Sequence, residues 1–359
     1  MRILPLVLIG LALPSLAVAD DFTRDKARNI IGDLQKIVTP DGIDERVAVA
    51  INGTRQWITI RGRDRANPIL LFLHGGPAAP EMPTSWTFQN PWEDYFTVVQ
   101  WDQRGAGKTY AANDPDAVRP TLSLATMQSD TEAMVRYLRA TYGKDKIFAM
   151  GHSWGTILGL KLAQAHPEWL YAYIGMGQII DMRAAERQGY AATLQAAEDA
   201  HNAQAVKELK AIAPYPEADG RIPLEKIDVE RKWSVAFGGL SWRRDSYGYY
   251  YHAGALSPDY GDADLDAVDK GSALSLPVLL KDMAAADFSK VTDFRCPIVI
   301  FNGRHDDTTS SKVAADWFAH VRAPTKKLVW FENSAHMMQI EEPGRVLVHL
   351  VEDVRPLAD

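Results

Sequence analysis

Short apolar runs recur along the chain, and helix-like stretches with apolar residues on one face separate them. Residues 46–51 and 56–60 are β-like and flank Asn52-Gly53, a dipeptide suited to a tight hairpin turn. After them the pattern changes. Residues 69–73, 96–100, 146–150, 170–175, 297–301 and 327–331 read as strands, most of them continuous apolar runs without period-two alternation. Such strands are buried on both faces. Helical stretches lie between or after them at 128–142, 155–166, 311–321 and 343–354. Met134, Val135, Leu138 and Tyr142 share one helical face, and Gly143 follows as a stop. Strands that alternate with helices predict an α/β fold with a mostly parallel sheet and right-handed crossovers. The interval 178–291 breaks the rhythm. It is rich in Ala, Glu, Tyr and Trp, looks helical, and is followed by a return to the strand–helix pattern. It reads as a helical cap inserted after about the sixth strand, between a first core segment at 20–177 and a second at 292–359.

Residues 1–19 stand apart. A basic start, Met1-Arg2, precedes an apolar run to Leu16, and Ala17-Val18-Ala19 has the small-x-small form of a cleavage site. The segment reads as a secretory signal peptide cut after Ala19, leaving no membrane attachment. The chain has one cysteine, Cys296, so no intrachain disulfide can form. Export with a lone cysteine suits a bacterial periplasm better than a disulfide-built extracellular domain, and Cys296 itself reads as a small buried hydrophobe. Composition narrows function less. Of the 359 residues, 47% are hydrophobic and 24% charged, as in ordinary globular domains. The formal net charge of −7 argues against nucleic acid as a partner.

The chemistry sits where the predicted strands end. Gly151-His152-Ser153-Trp154-Gly155 follows the strand at 146–150 and opens a helix. Strand, Gly-x-Ser-x-Gly, helix is the context of a nucleophile elbow, which projects a serine hydroxyl clear of the sheet. A serine needs a base, a group to orient that base and donors for an oxyanion. The run at 297–301 leads into Asn302-Gly303-Arg304-His305-Asp306-Asp307, where Asp306 or Asp307 is the candidate acid. The run at 327–331 leads into Glu332-Asn333-Ser334-Ala335-His336, and His336 is the candidate base. His152 lies on the elbow itself and is badly placed for that role, and His305, beside the candidate acid, reads as a loop residue. For the oxyanion, the N–H of Trp154 pairs with the loop His74-Gly75-Gly76-Pro77, where Gly76 is favoured and Gly75 lies next to it. No histidine pair has metal-ligand spacing, and no metal or cofactor is expected. Asp102-Gln103-Arg104-Gly105-Ala106-Gly107-Lys108-Thr109 lacks the first glycine of a phosphate-binding loop. Asp102 and Arg104 are expected instead to tie strand ends together.

Four of these segments together resemble the proline iminopeptidase group of α/β-hydrolases: His74-Gly75-Gly76-Pro77, Trp101-Asp102-Gln103-Arg104-Gly105, Gly151-His152-Ser153-Trp154-Gly155 and Gly303-Arg304-His305-Asp306. The resemblance runs from about residue 45 to the C-terminus and is weaker over 178–291. It implies a serine hydrolase with Ser153 as nucleophile, Asp306 as acid and His336 as base, working on an ester or amide through an acyl-enzyme. Its substrate would be a small molecule or a short peptide. The Gly-Arg-x-Asp match is what prefers Asp306 to Asp307. Two departures stand out. Ala78 replaces a usual glycine, and Phe237 in Trp233-Ser234-Val235-Ala236-Phe237 stands where such enzymes carry a glutamate that helps hold the substrate's amine. Trp233 and Phe237 are therefore candidate substrate-binding residues, beside an aromatic group that includes Tyr247, Tyr249, Tyr250, Tyr251 and Trp242. Asp181, Glu186, Glu198 and Asp199 are alternative carboxylates for an amine. An aminopeptidase and an esterase or amidase for neutral acyl groups both remain open. Ser153 argues against relatives of the same fold with an aspartate nucleophile, and the complete set of three argues against a non-catalytic binding protein.

Overall fold

The computed structural model describes residues 22–359, so the expected signal peptide at 1–19 lies outside the described residues. Among the described residues eight strands form one sheet: β1 (Ile43–Ile51), β2 (Thr54–Gly62), β3 (Ile69–Leu73), β4 (Thr97–Trp101), β5 (Ile147–His152), β6 (Leu170–Met176), β7 (Ile298–Gly303) and β8 (Lys326–Phe331). Their order across the sheet is β1-β2-β4-β3-β5-β6-β7-β8. The β1–β2 hairpin turns at Asn52-Gly53, and β2 pairs antiparallel to β4. All later pairings are parallel.

Residue type follows position in that order. Every residue of β3, β4, β5 and β7 is buried, as expected for strands covered by helices on both faces. The edge strands β1 and β8 expose residues and carry the charges Asp44, Glu45, Arg46, Lys326 and Lys327. Alternate side chains of one strand feed opposite layers. Ile69, Leu71 and Leu73 of β3 pack with the helices Leu124–Thr141 and Trp154–Ala165, while Leu70 and Phe72 pack with Phe88, Trp92 and the C-terminal helical turns. The helix Leu124–Thr141 begins earlier than apolar periodicity indicates, because the Ser123 side chain accepts from the Thr126 N–H and caps it. The last stretch is α-helical only over Pro343–His349 and then widens into a π-type turn at Leu350–Val354.

Between β6 and β7 the chain forms the helices Met182–Asp199, Ala203–Ala211, Leu224–Ala236, Gly248–Gly254 and Asp262–Ala284. The neck of this insertion is closed by an antiparallel bridge between Asp181 and Asp287, with the Phe288 N–H bonded to the Ile180 carbonyl and the Met182 N–H to the Ala286 carbonyl. Helix 262–284 lies close on the loop after β4, where Ser275 donates to the Gly105 carbonyl at 3.2 Å. Cys296 is buried, and burial pushes its thiol up to about 11. Among the described residues no helix is long and apolar enough to cross a membrane.

Candidate active site

Ser153 occupies the sharp turn between β5 and the helix Trp154–Ala165, with φ +52° and ψ −121°. Such a backbone is costly for a residue with a side chain and persists only where its surroundings enforce it. Here the Ser153 N–H donates to the Met176 carbonyl at 3.0 Å, and Thr156 Oγ1 donates to the Ser153 carbonyl at 2.6 Å. The helix also comes very close to β3. A Cβ on Gly155 would lie 1.9 Å from the Leu73 carbonyl oxygen, so only glycine fits there. The hydroxyl is thereby presented at the C-terminal edge of the central strands.

Two neighbouring strand ends supply the partners. His336, after β8, bonds through Nδ1 to Asp306 Oδ2 at 2.8 Å, and both side chains are buried. Asp306, after β7, is held by its own loop. Its Oδ1 accepts from the Thr308 and Thr309 N–H groups at 2.9 Å each, and its Oδ2 accepts from Thr309 Oγ1 at 2.9 Å. Burial alone would raise this carboxyl, but His336 and the Thr309 hydrogen bonds hold it below its ordinary value. Asp307 differs sharply. Its carboxyl is pushed up to about 7 by burial, helped by the nearby Asp306 and Glu230. Its backbone N–H bonds the Gly239 carbonyl at 3.3 Å. Geometry therefore pairs His336 with Asp306. With Nδ1 engaged, the Nε2 of His336 is the nitrogen left to take a proton.

The loop after β3 approaches from the other side. A Cβ on Gly75 would sit 3.2 Å from the Ser153 Cβ. Gly76 has φ +112°, and a Cβ there would come within 2.6 Å of the Ala78 and Ala79 nitrogens, so its backbone demands glycine. Trp154 is the first residue of its helix, and its N–H cannot be satisfied within that helix. Its indole is buried and donates to Gln103 Oε1 at 3.2 Å. Arg104 makes part of the expected tie between strand ends, donating from Nη2 to the Asn52 carbonyl of the β1–β2 turn at 3.0 Å, while the other partners lie on a helix and in the insertion. Arg104 grips Asp130 with Nε and Nη2, and Asp102 accepts from Tyr260 of the insertion.

A cavity of about 360 Å³ opens over these groups, lined by Ser153, His336, Gly75 and Gly76. The insertion roofs it with Tyr247, Tyr249, Tyr250 and Tyr251. Trp233 and Phe237 do not line it. Phe237 stacks on Trp233 at 6.1 Å, the indole N–H goes to Glu208 Oε2 at 2.8 Å, and both rings pack on the core cluster. The face of helix Leu224–Ala236 that carries them turns away from Ser153, while Arg231 and Val235 of the same helix reach the cavity. The alternative carboxylates are also committed elsewhere. Asp181 caps a helix, Glu186 pairs with Arg231, Glu198 with Lys210, and Asp199 bonds Gln195. The carboxylates that line the cavity are Glu81 and Asp269, neither of which the sequence pattern signalled.

A mostly parallel sheet in this strand order, an elbow after β5 and a helical insertion after β6 define an α/β-hydrolase. The family model described as alpha/beta hydrolase fold matches residues 68–343, and the chain belongs to that family. It is 30% identical over 300 residues to the probable aminopeptidase YbaC of Bacillus subtilis, a match that covers 82% of this chain and 92% of that protein. It is 37% identical over 99 residues to the proline iminopeptidase of Neisseria gonorrhoeae, over 28% of this chain and 29% of that one. Among solved structures, a proline iminopeptidase-related protein from Thermus thermophilus superposes with TM-score 0.63 at 18% identity, covering 88% of this chain and 98% of that one. The chain is thus an α/β-hydrolase that is similar to proteins named as aminopeptidase and proline iminopeptidase.

Proposed function

We infer that this chain is an exported serine hydrolase that cleaves an ester or amide bond through an acyl-enzyme. The observation that carries the reading is that His336, held by Asp306 at 2.8 Å, lines one cavity with Ser153 although the three residues come from three different strand ends. In the forward step Ser153 Oγ attacks the substrate carbonyl while His336 Nε2 takes its proton. Asp306 keeps the proton on Nδ1 and stabilises the imidazolium that forms. The N–H groups of Gly76 and Trp154 receive the oxyanion. His336 then protonates the leaving group, and water releases the acyl group by the reverse sequence.

The relatives named as aminopeptidases incline the reading toward removal of an N-terminal residue from a short peptide. One observation favours a second reading, an esterase or amidase for neutral acyl groups. The cavity roof is built of tyrosine rings, Tyr247, Tyr249, Tyr250 and Tyr251. Hydrolysis of prolyl p-nitroanilide and p-nitrophenyl butyrate, each with Ser153→Ala as control, separates the two. Anilide cleavage lost in the variant supports the aminopeptidase, and ester cleavage alone supports the esterase. Failure of a fluorophosphonate to label Ser153 in folded protein would sink both. Export is tested by sequencing the N-terminus of protein from the periplasmic fraction, where a start at Asp20 is expected.

A further inference from the structure

Beside His336 and Asp306 lies a second buried histidine–carboxylate pair that the reaction just described does not use. His152 Nδ1 is 2.6 Å from Glu81 Oε1, and His152 Nε2 is 3.1 Å from the main-chain carbonyl oxygen of His336. The two imidazole rings lie tilted against each other with centroids 4.7 Å apart. A carbonyl only accepts, so Nε2 of His152 must carry a hydrogen. The bond from Nδ1 to Glu81 carries another. Burial opposes charge on both groups, yet their mutual attraction wins: His152 is raised above its ordinary value and Glu81 is held below its own. Both directions favour an imidazolium facing a carboxylate, the strong form of such a bond.

Its connections run to every part of the site. Glu81 follows the glycine loop after β3, and a Cβ on Gly75 would lie 3.5 Å from His152 Nδ1. Tyr250 Oη, from the roof, donates to Glu81 Oε2 at 3.2 Å, and Gln339 Nε2, just past His336, lies 3.4 Å from both oxygens. The His336 peptide is gripped at both ends. Its N–H donates to the Leu240 carbonyl of the insertion at 3.0 Å, and its carbonyl accepts from His152. The Asp306 bond orients the ring of His336, but it does not by itself fix the main chain that carries the ring.

We propose that His152 and Glu81 are positioning residues: His152 holds the backbone of the base in register with Ser153, and Glu81 holds His152 while joining the oxyanion loop and the tyrosine roof to it. This rests on Ser153 and His336 being the reacting pair. Glu81 also lines the cavity, so the rival role for it is direct capture of a cationic substrate group, and the two roles predict different kinetics. Misplacing a reacting group by about 1 Å costs about a hundredfold in rate.

The test compares the full chain with Glu81→Gln, His152→Gln and His152→Leu, on prolyl p-nitroanilide and p-nitrophenyl butyrate, with fluorophosphonate labelling rate as a third readout. Glu81→Gln is expected to lower kcat about ten- to hundredfold on whichever substrates the wild type cleaves, and labelling by the same factor, with KM nearly unchanged. His152→Gln, which keeps one N–H for the His336 carbonyl, is expected to retain more activity than His152→Leu. A rise in KM confined to the cationic anilide would overturn the proposal in favour of amine capture. Unchanged kcat and labelling would overturn it in favour of an inert pair. The wild type supplies a check that does not depend on any variant folding. Imidazole nitrogen NMR at neutral pH is expected to show His152 protonated at both nitrogens, and a His152 without a proton on Nε2, which could not hold the His336 carbonyl, overturns the proposal. Wild-type protein that does not label at Ser153 removes the underlying reading and this inference with it.

Discussion

The strand ends around Ser153 and the inserted helices hold their polar groups in different ways. Asp306 is gripped by main-chain N–H groups of its own loop, and the Ser153 turn is fixed by main-chain bonds to β6 and the following helix. In the insertion the buried charges hold one another through side chains alone. Arg231 reaches Glu186 on one neighbouring helix and Glu230 on its own, while Tyr215 and Thr193 complete the cluster. A site anchored on the main chain can lose a reacting atom without losing its shape. A cluster built from side chains cannot lose a member without leaving a bare charge behind. Substitutions at the strand ends should therefore show up as lost rate at unchanged stability, and those in the insertion as lost stability at little-changed rate.

The largest effect tests the first half of that contrast. Ser153→Ala is expected to lower kcat/KM by at least about 10⁴-fold, with the melting temperature within about 2 °C of wild type. Asp306→Asn should cost about 10⁴-fold, as expected when the base is left in the wrong tautomer. Asp307→Asn should cost less than about tenfold, or 1.4 kcal/mol. Equal losses for the two would mean that the acid has been misassigned.

The same contrast explains what was legible from sequence. The central strands announce themselves because both faces are buried, so β3 and β5 read as unbroken apolar runs. Ser153 and His336 are legible because each follows such a run. The choice between Asp306 and Asp307 was not a matter of pattern, since adjacent loop residues share no periodicity. It needed the resemblance, and the geometry agrees because only Asp306 meets His336. The insertion was legible as helical but not in its facing. Its helices pack on each other as well as on the core, and no period of apolar residues says that Arg231 and Val235 turn to the cavity while Trp233 and Phe237 turn away. The Glu81–His152 pair was invisible for a further reason: its members lie 71 residues apart and neither belongs to a recurring motif as a pair.

Arg231→Met tests the second half. It leaves Glu186 and Glu230 buried without their cation, and the loss is expected to be about 3–5 kcal/mol in urea unfolding. Rate per fluorophosphonate-titrated site should change less than about tenfold, even though the side chain borders the cavity. A larger fall in rate at full stability would make Arg231 part of the site and erase the contrast. Phe237 offers a gentler version. Phe237→Ala should cost about 1–3 kcal/mol through lost packing on Trp233 and leave KM unchanged. Phe237→Glu should fail to improve cleavage of prolyl p-nitroanilide, because the new carboxylate would point away from the cavity. Improved cleavage would show that helix 224–236 turns during catalysis.

The smallest effect lies where the two regions meet. Asp102 stands at the end of β4 and accepts from Tyr260 of the insertion and from the Lys108 N–H, while its other oxygen, Oδ1, has no partner among the described residues. Burial pushes this carboxyl up to about 7, against an ordinary value of 3.8. The folded chain thus keeps a proton that the unfolded chain has already released. The sign follows: this contribution to stability is full below about pH 4, shrinks as the pH rises, and is gone once Asp102 ionises in the folded state near pH 7. Asp102→Asn cannot ionise and keeps the uncharged form at every pH. The melting temperature of the variant minus that of the wild type should therefore climb from about pH 4 to about pH 7 by a few degrees and then level off. A difference that stays flat across that range would mean that Asp102 is ionised throughout, and that the Tyr260 hydrogen bond alone compensates its burial at the junction.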